Sequence, residues 1–166
     1  MKRLAHQIDA LAVKDAGFLR LTRDMSVLRH VAATELHTIC RAFVASINGL
    51  LANGALALDP ATFSNAAFQE DAINLIQISV RGRILQIAFS ATPELVSTED
   101  FRVPYTLAGS VRAFNQELLE KEVIEEQLVF YTVEKHRKMW RYFDPRTYRS
   151  GTFDQEYLVS VMEQLI

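Results

Sequence analysis

The residues best suited to chemistry lie close together near the C-terminus, where basic and aromatic side chains alternate over residues 135–149. The cations are Lys135, Arg137, Lys138, Arg141, Arg146 and Arg149. The aromatic residues between them are Trp140, Tyr142 and Tyr148. Cations bind phosphates, exposed rings stack on bases, and carboxylates of an acidic partner suit the same cations. The alternative is a solvated hairpin tip above buried aromatic residues.

Six of these residues form the predicted ligand- or anion-binding set: Arg141, Arg146, Arg149, Lys138, Trp140 and Tyr148. Arg141 lies within a predicted strand among aromatic residues, where a guanidinium is costly unless it is paired or stacked. We therefore expect Arg141, Arg146 and Arg149 to converge on one surface. The alternative is that the arginines pair with acidic neighbours: Glu125, Glu126, Asp144 or Asp154.

No other group of residues predicts a reaction or a metal site. His37 and Cys40 share a helical face, but zinc needs three or four ligands and no second Cys/His pair exists. The carboxylates between Glu117 and Glu126 are typical of a solvated helix face. Glycine-rich phosphate loops, nucleophile elbows and metalloprotease motifs are missing from the sequence. The sequence favours a non-catalytic protein without a cofactor and leaves catalysis open.

Composition indicates an ordinary globular chain. The hydrophobic share is 49%, the charged share is 23% and the net charge is −2, so only a local patch could attract nucleic acid. The single cysteine, Cys40, permits no intrachain disulfide and indicates a reducing compartment. Asp9, Lys14 and Asp15 interrupt the first apolar stretch, so it is a poor signal peptide. We expect a soluble cytoplasmic protein without a membrane span.

Helical spacing dominates the first third of the chain. Leu4, Ile8 and Leu11, with Asp15 at the next position of the same spacing, predict a short helix over residues 3–15, with Gly17 as its stop. A second, stronger helix begins after Asp24 or Ser26. Its apolar stripe is Leu28, Val31 or Ala32, Leu36, Ile39, Phe43, Ile47 and Leu50. Asp59-Pro60 then predicts the start of a short helix that reaches about Glu70.

Strands follow from Ile73 onward. The alternation over 73–90 predicts a hairpin with a two-residue turn at Arg81-Gly82. A third strand contains Val103, Tyr105 and Leu107. Ser110 can cap a further helix whose apolar face includes Val111, Phe114, Leu118 and Val123.

A second, aromatic hairpin covers residues 126–143, where apolar side chains alternate before and after Lys135-His136-Arg137. A loop over 135–137 would place Glu134 opposite Lys138, a favourable pair, whereas a loop over 136–137 would oppose two lysines. The first register is therefore preferred. A capping box that begins at Thr152 predicts the last helix. Its apolar face is Tyr157, Leu158, Val161, Met162 and Leu165.

The sequence thus predicts a single α+β domain over residues 1–166. It has N-terminal helices over 1–52 and a β-β-β-α-β-β-α part with an antiparallel sheet over 73–166. From Ile73 onward, this element order resembles that of type III secretion chaperones, small acidic homodimers that hold segments of partner proteins. We predict an interaction or chaperone-like protein that binds another protein and forms a homodimer through a sheet edge or the N-terminal helices. The alternative is a nucleic-acid-binding or processing domain that uses residues 135–149.

Overall fold

The computed structural model describes residues 2–115 and 123–166, and within them it has an α+β fold. A long helix α1 (Lys2–Asn48) precedes an antiparallel sheet, and helix α2 (Gln155–Leu165) follows it. The strands are β1 (Ala57–Asp59), β2 (Asn74–Val80), β3 (Arg83–Val96), β4 (Tyr105–Asn115), β5 (Val123–Val133), β6 (Lys138–Asp144) and β7 (Arg149–Thr152). Each strand pairs with its sequence neighbour, so the sheet is a meander. The predicted fold class is confirmed.

The N-terminal helices are one helix, so the predicted stop at Gly17 is wrong. A glycine inside a helix costs only about 1 kcal/mol relative to alanine, and no proline follows to block the next turn. A Cβ atom added at Gly17 would meet no heavy atom within 4 Å. All residues from 2 to 24 are exposed, so this part of α1 projects away from the sheet.

The core lies between one face of the sheet and the two helices. The predicted stripe of the long helix is buried at Ala32, Leu36 and Phe43, which join α2 and the inward-facing residues of the strands. Trp140 is 1% exposed, and its indole Nε1–H donates to the carbonyl of Ala32 at 2.7 Å. This hydrogen bond joins β6 to α1.

The hairpin of β2 and β3 forms as predicted. Val80 lies opposite Arg83, so the turn contains only Arg81 and Gly82. Both turn residues have positive φ, 47° for Arg81 and 76° for Gly82. Such backbone angles match the twist of the flanking strands, which explains why a hairpin tolerates arginine at this unfavourable position.

The predicted helix after Ser110 is wrong where the structure describes it. Residues 105–115 form β4, and Val123 begins β5, whereas 116–122 lie outside the described residues. Val111 and Ala113 are buried and Arg112 is exposed, which is the period of a strand. The element order that resembled type III secretion chaperones is therefore not found in the described part of the chain.

The short helix predicted at Asp59-Pro60 is also wrong. Asp59 ends strand β1, and the only helical turn between β1 and β2 is a 3-10 turn over Asn65–Ala67. The carbonyl oxygen of Pro60 accepts a hydrogen bond from the ring Nε2–H of the buried His37 on α1, which fixes this connection against the helix. Apart from this 3-10 turn, the connection between β1 and β2 is therefore irregular.

The aromatic hairpin forms in a register that we did not predict. Val133 lies opposite Lys138, and Glu134 and Arg137 exchange backbone hydrogen bonds of 2.9 and 3.3 Å. The connection is thus Lys135-His136, and both registers considered above are wrong. Arg141 consequently lies opposite Phe130.

Helix α2 begins two residues later than the predicted capping box, which would have Thr152 as the N-cap. Its N-cap is Asp154, whose carboxylate accepts the backbone N–H of Tyr157 at 2.9 Å. All five residues of the predicted apolar face are buried. The edges of the sheet are β1 and β7, which contain 3 and 4 residues. Such short edges offer little backbone for pairing with another sheet.

Candidate functional site

The predicted ligand-binding residues divide between the core and the two faces of the sheet. Trp140 and Tyr142 point towards the helices, because Trp140 reaches α1 and Tyr142 stacks on Tyr157 of α2 at 4.3 Å between ring centroids. The burial of Trp140 places it in the core and not on a ligand-binding surface. Lys138 lies at the exposed end of the hairpin.

Arg141 lies on the opposite face of the sheet, because side chains alternate along β6. Its neighbours there belong to a small aromatic cluster of Phe101, Tyr105, Phe130 and Phe143. Tyr148 packs edge-on against Phe143, with 6.0 Å between ring centroids. The sheet therefore separates Arg141 from the helix-covered face. Arg141 is not among the residues that line the cavity shared by Arg146 and Arg149, which is described next.

Arg146 and Arg149 do come together. Both line a surface cavity of about 280 Å³ between the β6–β7 connection and α2. The rest of its lining is mostly polar: Gln127, Tyr142, Asp144, Thr147, Tyr157, Ser160 and Gln164. Arg146 Nε lies 3.6 Å from Asp144 Oδ1, so one acidic partner considered above is present. Two guanidinium groups facing a polar cavity are suited to a phosphate or carboxylate.

Asp144 organises the connection that carries these arginines. Its Oδ1 accepts the backbone N–H of Arg146, and its Oδ2 accepts the hydroxyl of Thr147, both at 2.9 Å. Burial alone would raise the pKa of Asp144, but these hydrogen bonds and the Arg146 guanidinium outweigh it and lower the pKa. The carboxylate therefore stabilises the fold above the unfolded-state pKa, and that stabilisation is lost as the pH falls through the lower folded-state pKa.

His37 and Cys40 have structural roles. The Nε2 atom of His37 lies 2.7 Å from the carbonyl oxygen of Pro60, and its ring stacks on Phe63. Cys40 is fully buried, and burial raises the pKa of its thiol to about 12. Within 2–115 and 123–166, no three His, Cys, Asp or Glu residues are grouped to hold a metal ion.

A second candidate surface is the projecting part of α1, residues 2–24. Its exposed apolar residues include Leu4, Ile8, Leu11 and Phe18, each at least half exposed (57–69%). Together with Asp15, Thr22 and Met25 they follow alternating steps of four and three residues. We call this row, residues 4, 8, 11, 15, 18, 22 and 25, the apolar stripe. Such steps keep side chains on one face of a helix.

The stripe continues into the buried face of the same helix. The next positions at the same steps are Arg29, Ala32 and Leu36, which are all buried against the sheet. The sequence pattern predicted this stripe as far as Asp15, with a helix stop at Gly17. The signal that was missed is the unbroken alternation of steps on either side of this glycine.

Arg29 marks the point where α1 meets the sheet. Its guanidinium donates to Thr106 Oγ1 at 2.8 Å, to Glu70 Oε2 at 2.9 Å and to the carbonyl of Thr92. A surface cavity of about 630 Å³ lies beside these groups. Arg29 was not among the residues predicted from the sequence, although a lone arginine on the buried stripe is a usable signal because buried charges need partners.

Comparison of the chain with protein-family models, with curated proteins and with solved structures found no match. Neither α1 nor α2 has the length and apolar character required to cross a membrane.

Proposed function

We propose that this chain is a non-catalytic interaction protein that binds another protein through residues 2–24 of α1. The observation that carries the proposal is the apolar stripe on a helical segment that is exposed along its whole length. Helices in proteins owe most of their stability to packing of an apolar face. A segment with Gly17 near its middle and no packing of its own is therefore suited to being stabilised by a partner.

The remainder of the chain supports the same function. Residues 25–48 of α1 are anchored by the core, so the projecting segment is presented on a rigid base. The segment spans about 35 Å at 1.5 Å per residue, which suits recognition along a helix or in a groove. We place this activity in the cytoplasm, because a chain with one cysteine is suited to a reducing compartment.

The double substitution Leu11→Glu and Phe18→Glu should abolish capture of protein partners from a host extract. Both side chains lie in the stripe, and a carboxylate there would have to be desolvated on binding. The matched control is Val13→Glu, which is 74% exposed and lies on the opposite face of α1. Capture is measured by pull-down and mass spectrometry. Unchanged capture by the double variant, with the melting temperature preserved, would refute the proposed function.

A second candidate function is anion binding by Arg146 and Arg149, which would include nucleic acid. It is favoured by the observation that both arginines line one polar cavity. The change Arg146→Gln with Arg149→Gln should remove salt-sensitive binding to RNA or DNA, because each lost phosphate contact lowers affinity. The control is Lys135→Gln with Arg137→Gln, at the exposed hairpin tip. A sharp fall in melting temperature with unchanged binding would assign the arginines a structural role.

A further inference from the structure

We propose that the partner of the projecting helix is a second copy of this chain, paired with it in an antiparallel direction along the apolar stripe. The inference rests on the proposed function and names its partner. In this pair, Leu4 of one copy lies opposite Thr22 of the other, and Ile8 lies opposite Phe18. Leu11 lies opposite Asp15, so the twofold axis passes close to residue 13.

The spacing of the stripe supports this register. Read from Leu4 to Thr22, the steps between stripe positions are four, three, four, three and four residues. They are the same when read from Thr22 to Leu4. Two antiparallel copies can therefore bring every stripe position between Leu4 and Thr22 opposite a stripe position of the other copy. This matching is the self-complementarity that a twofold interface requires.

The position of the sheet excludes a parallel pair. The stripe lies on the same side of α1 as the sheet, because its steps continue into the buried residues Arg29 and Ala32. A parallel partner would reach the sheet of the first copy at about residue 29, and both sheets would need the same space. In the antiparallel pair, the partner's helix begins opposite Asp24 and leads away from that sheet.

The charges near the centre also favour the antiparallel pair. Asp15 is the charged residue within the projecting stripe, and Lys14 adjoins it. Close to the twofold axis, Asp15 of each copy lies near Lys14 of the other. The two carboxylates and two ammonium groups together carry no net charge. In a parallel pair, the two Asp15 side chains would face each other and repel. A charged residue in the stripe lowers affinity but fixes orientation.

The short edge strands direct dimerisation to the helix. Strands β1 and β7 contain 3 and 4 residues, so a continuous sheet across two copies would have few backbone hydrogen bonds. The projecting helix instead offers a contact about 27 Å long between Leu4 and Thr22, at 1.5 Å per residue. Of the two modes of dimerisation that we predicted from the sequence, the helix is the one we propose.

Sedimentation of the full chain and its charge variants tests whether the proposed dimer forms. The wild-type chain should sediment with twice the monomer mass of 18.9 kDa at micromolar concentration. Lys14→Glu and Asp15→Lys alone should each weaken the dimer roughly 10-fold or more, because each places four like charges at the centre. The double swap Lys14→Glu with Asp15→Lys should restore the affinity. Rescue supports the pair, whereas weakening without rescue overturns it.

Cysteine cross-linking tests whether the two helices run antiparallel. Cys40 is fully buried, so a short bismaleimide should react with an introduced cysteine. Leu11→Cys lies close to the twofold axis and should cross-link between copies, but Leu4→Cys lies far from its counterpart and should not. Equal cross-linking at both positions would indicate a parallel pair and overturn the inference. A monomeric wild-type chain would also overturn it, whereas loss of captured partners in the stripe variant would still support the proposed function.

Discussion

Replacing Trp140 with alanine should lower the free energy of unfolding by about 4 kcal/mol, within the range for a buried tryptophan. The indole is 1% exposed and packs edge-on against Phe89 and Tyr131, with 5.5 Å between ring centroids in each pair. Its Nε1–H also donates to the carbonyl of Ala32 on α1. The substitution therefore leaves a cavity and removes a link between the sheet and the helix.

Comparing Trp140→Phe with Trp140→Ala separates the contribution of ring packing from that of the hydrogen bond to Ala32. Phenylalanine preserves most of the ring packing but lacks the N–H donor, so it should cost only about 1–2 kcal/mol. Urea denaturation followed by circular dichroism measures both variants, because fluorescence would lose its only tryptophan. A cost below about 1 kcal/mol for Trp140→Ala would show that β6 does not pack beneath α1.

Replacing Arg29 with alanine should cost about 3 kcal/mol, the lower end of the range for breaking a buried ion pair. The lower end applies because the side chain of its partner Glu70 is 29% exposed and partly screened by solvent. The alanine variant would leave the carboxylate of Glu70, the hydroxyl of Thr106 and the carbonyl of Thr92 without the guanidinium that binds all three.

Arg29→Lys and Arg23→Ala are the matched variants. Lysine keeps the charge but cannot donate to three acceptors with one planar group, so it should cost less than alanine yet remain measurable. Arg23 is exposed on the projecting segment, and its replacement should change stability by less than about 0.5 kcal/mol. Thermal denaturation compares the three. If Arg29→Ala unfolds at the wild-type temperature, this arginine does not hold α1 on the sheet.

The parts of the fold that could be predicted are those with a single consistent periodicity. The apolar face of α2 repeats at helical spacing, and every residue assigned to it is buried. Strand β2 and the paired part of β3 alternate, and the glycine after Arg81 marks the turn between them. In these elements, local propensity and burial favour the same structure.

Other segments satisfy two patterns at once. Val111 and Phe114 fit a helix by their spacing, but tertiary pairing places residues 105–115 between β3 and β5. The aromatic hairpin has no glycine to mark its turn, so only charge pairing predicts a register, and the structure instead pairs the backbones of Glu134 and Arg137. Weak surface charge pairs do not set the register of a hairpin whose Trp140 must be buried.

The candidate sites could be predicted only in part. The sequence predicted that Arg146 and Arg149 share one surface, and both line the cavity beside α2. It could not show that Arg141 lies across the sheet, because a one-residue change of register moves a side chain to the other face. The predicted stripe ended at Asp15, because a glycine usually marks a helix end, but the periodicity continues on both sides of Gly17.

The meander also has a consequence for the order of folding. Every pair of neighbouring strands is consecutive in the chain, so the sheet can grow by closing short loops, which favours rapid formation. The bond from Trp140 to Ala32 joins residues 108 positions apart, and it can form only after β6 has been added. We therefore expect α1 to dock late. During synthesis, this helix would leave the ribosome before the sheet and remain with its apolar face uncovered until the sheet is complete.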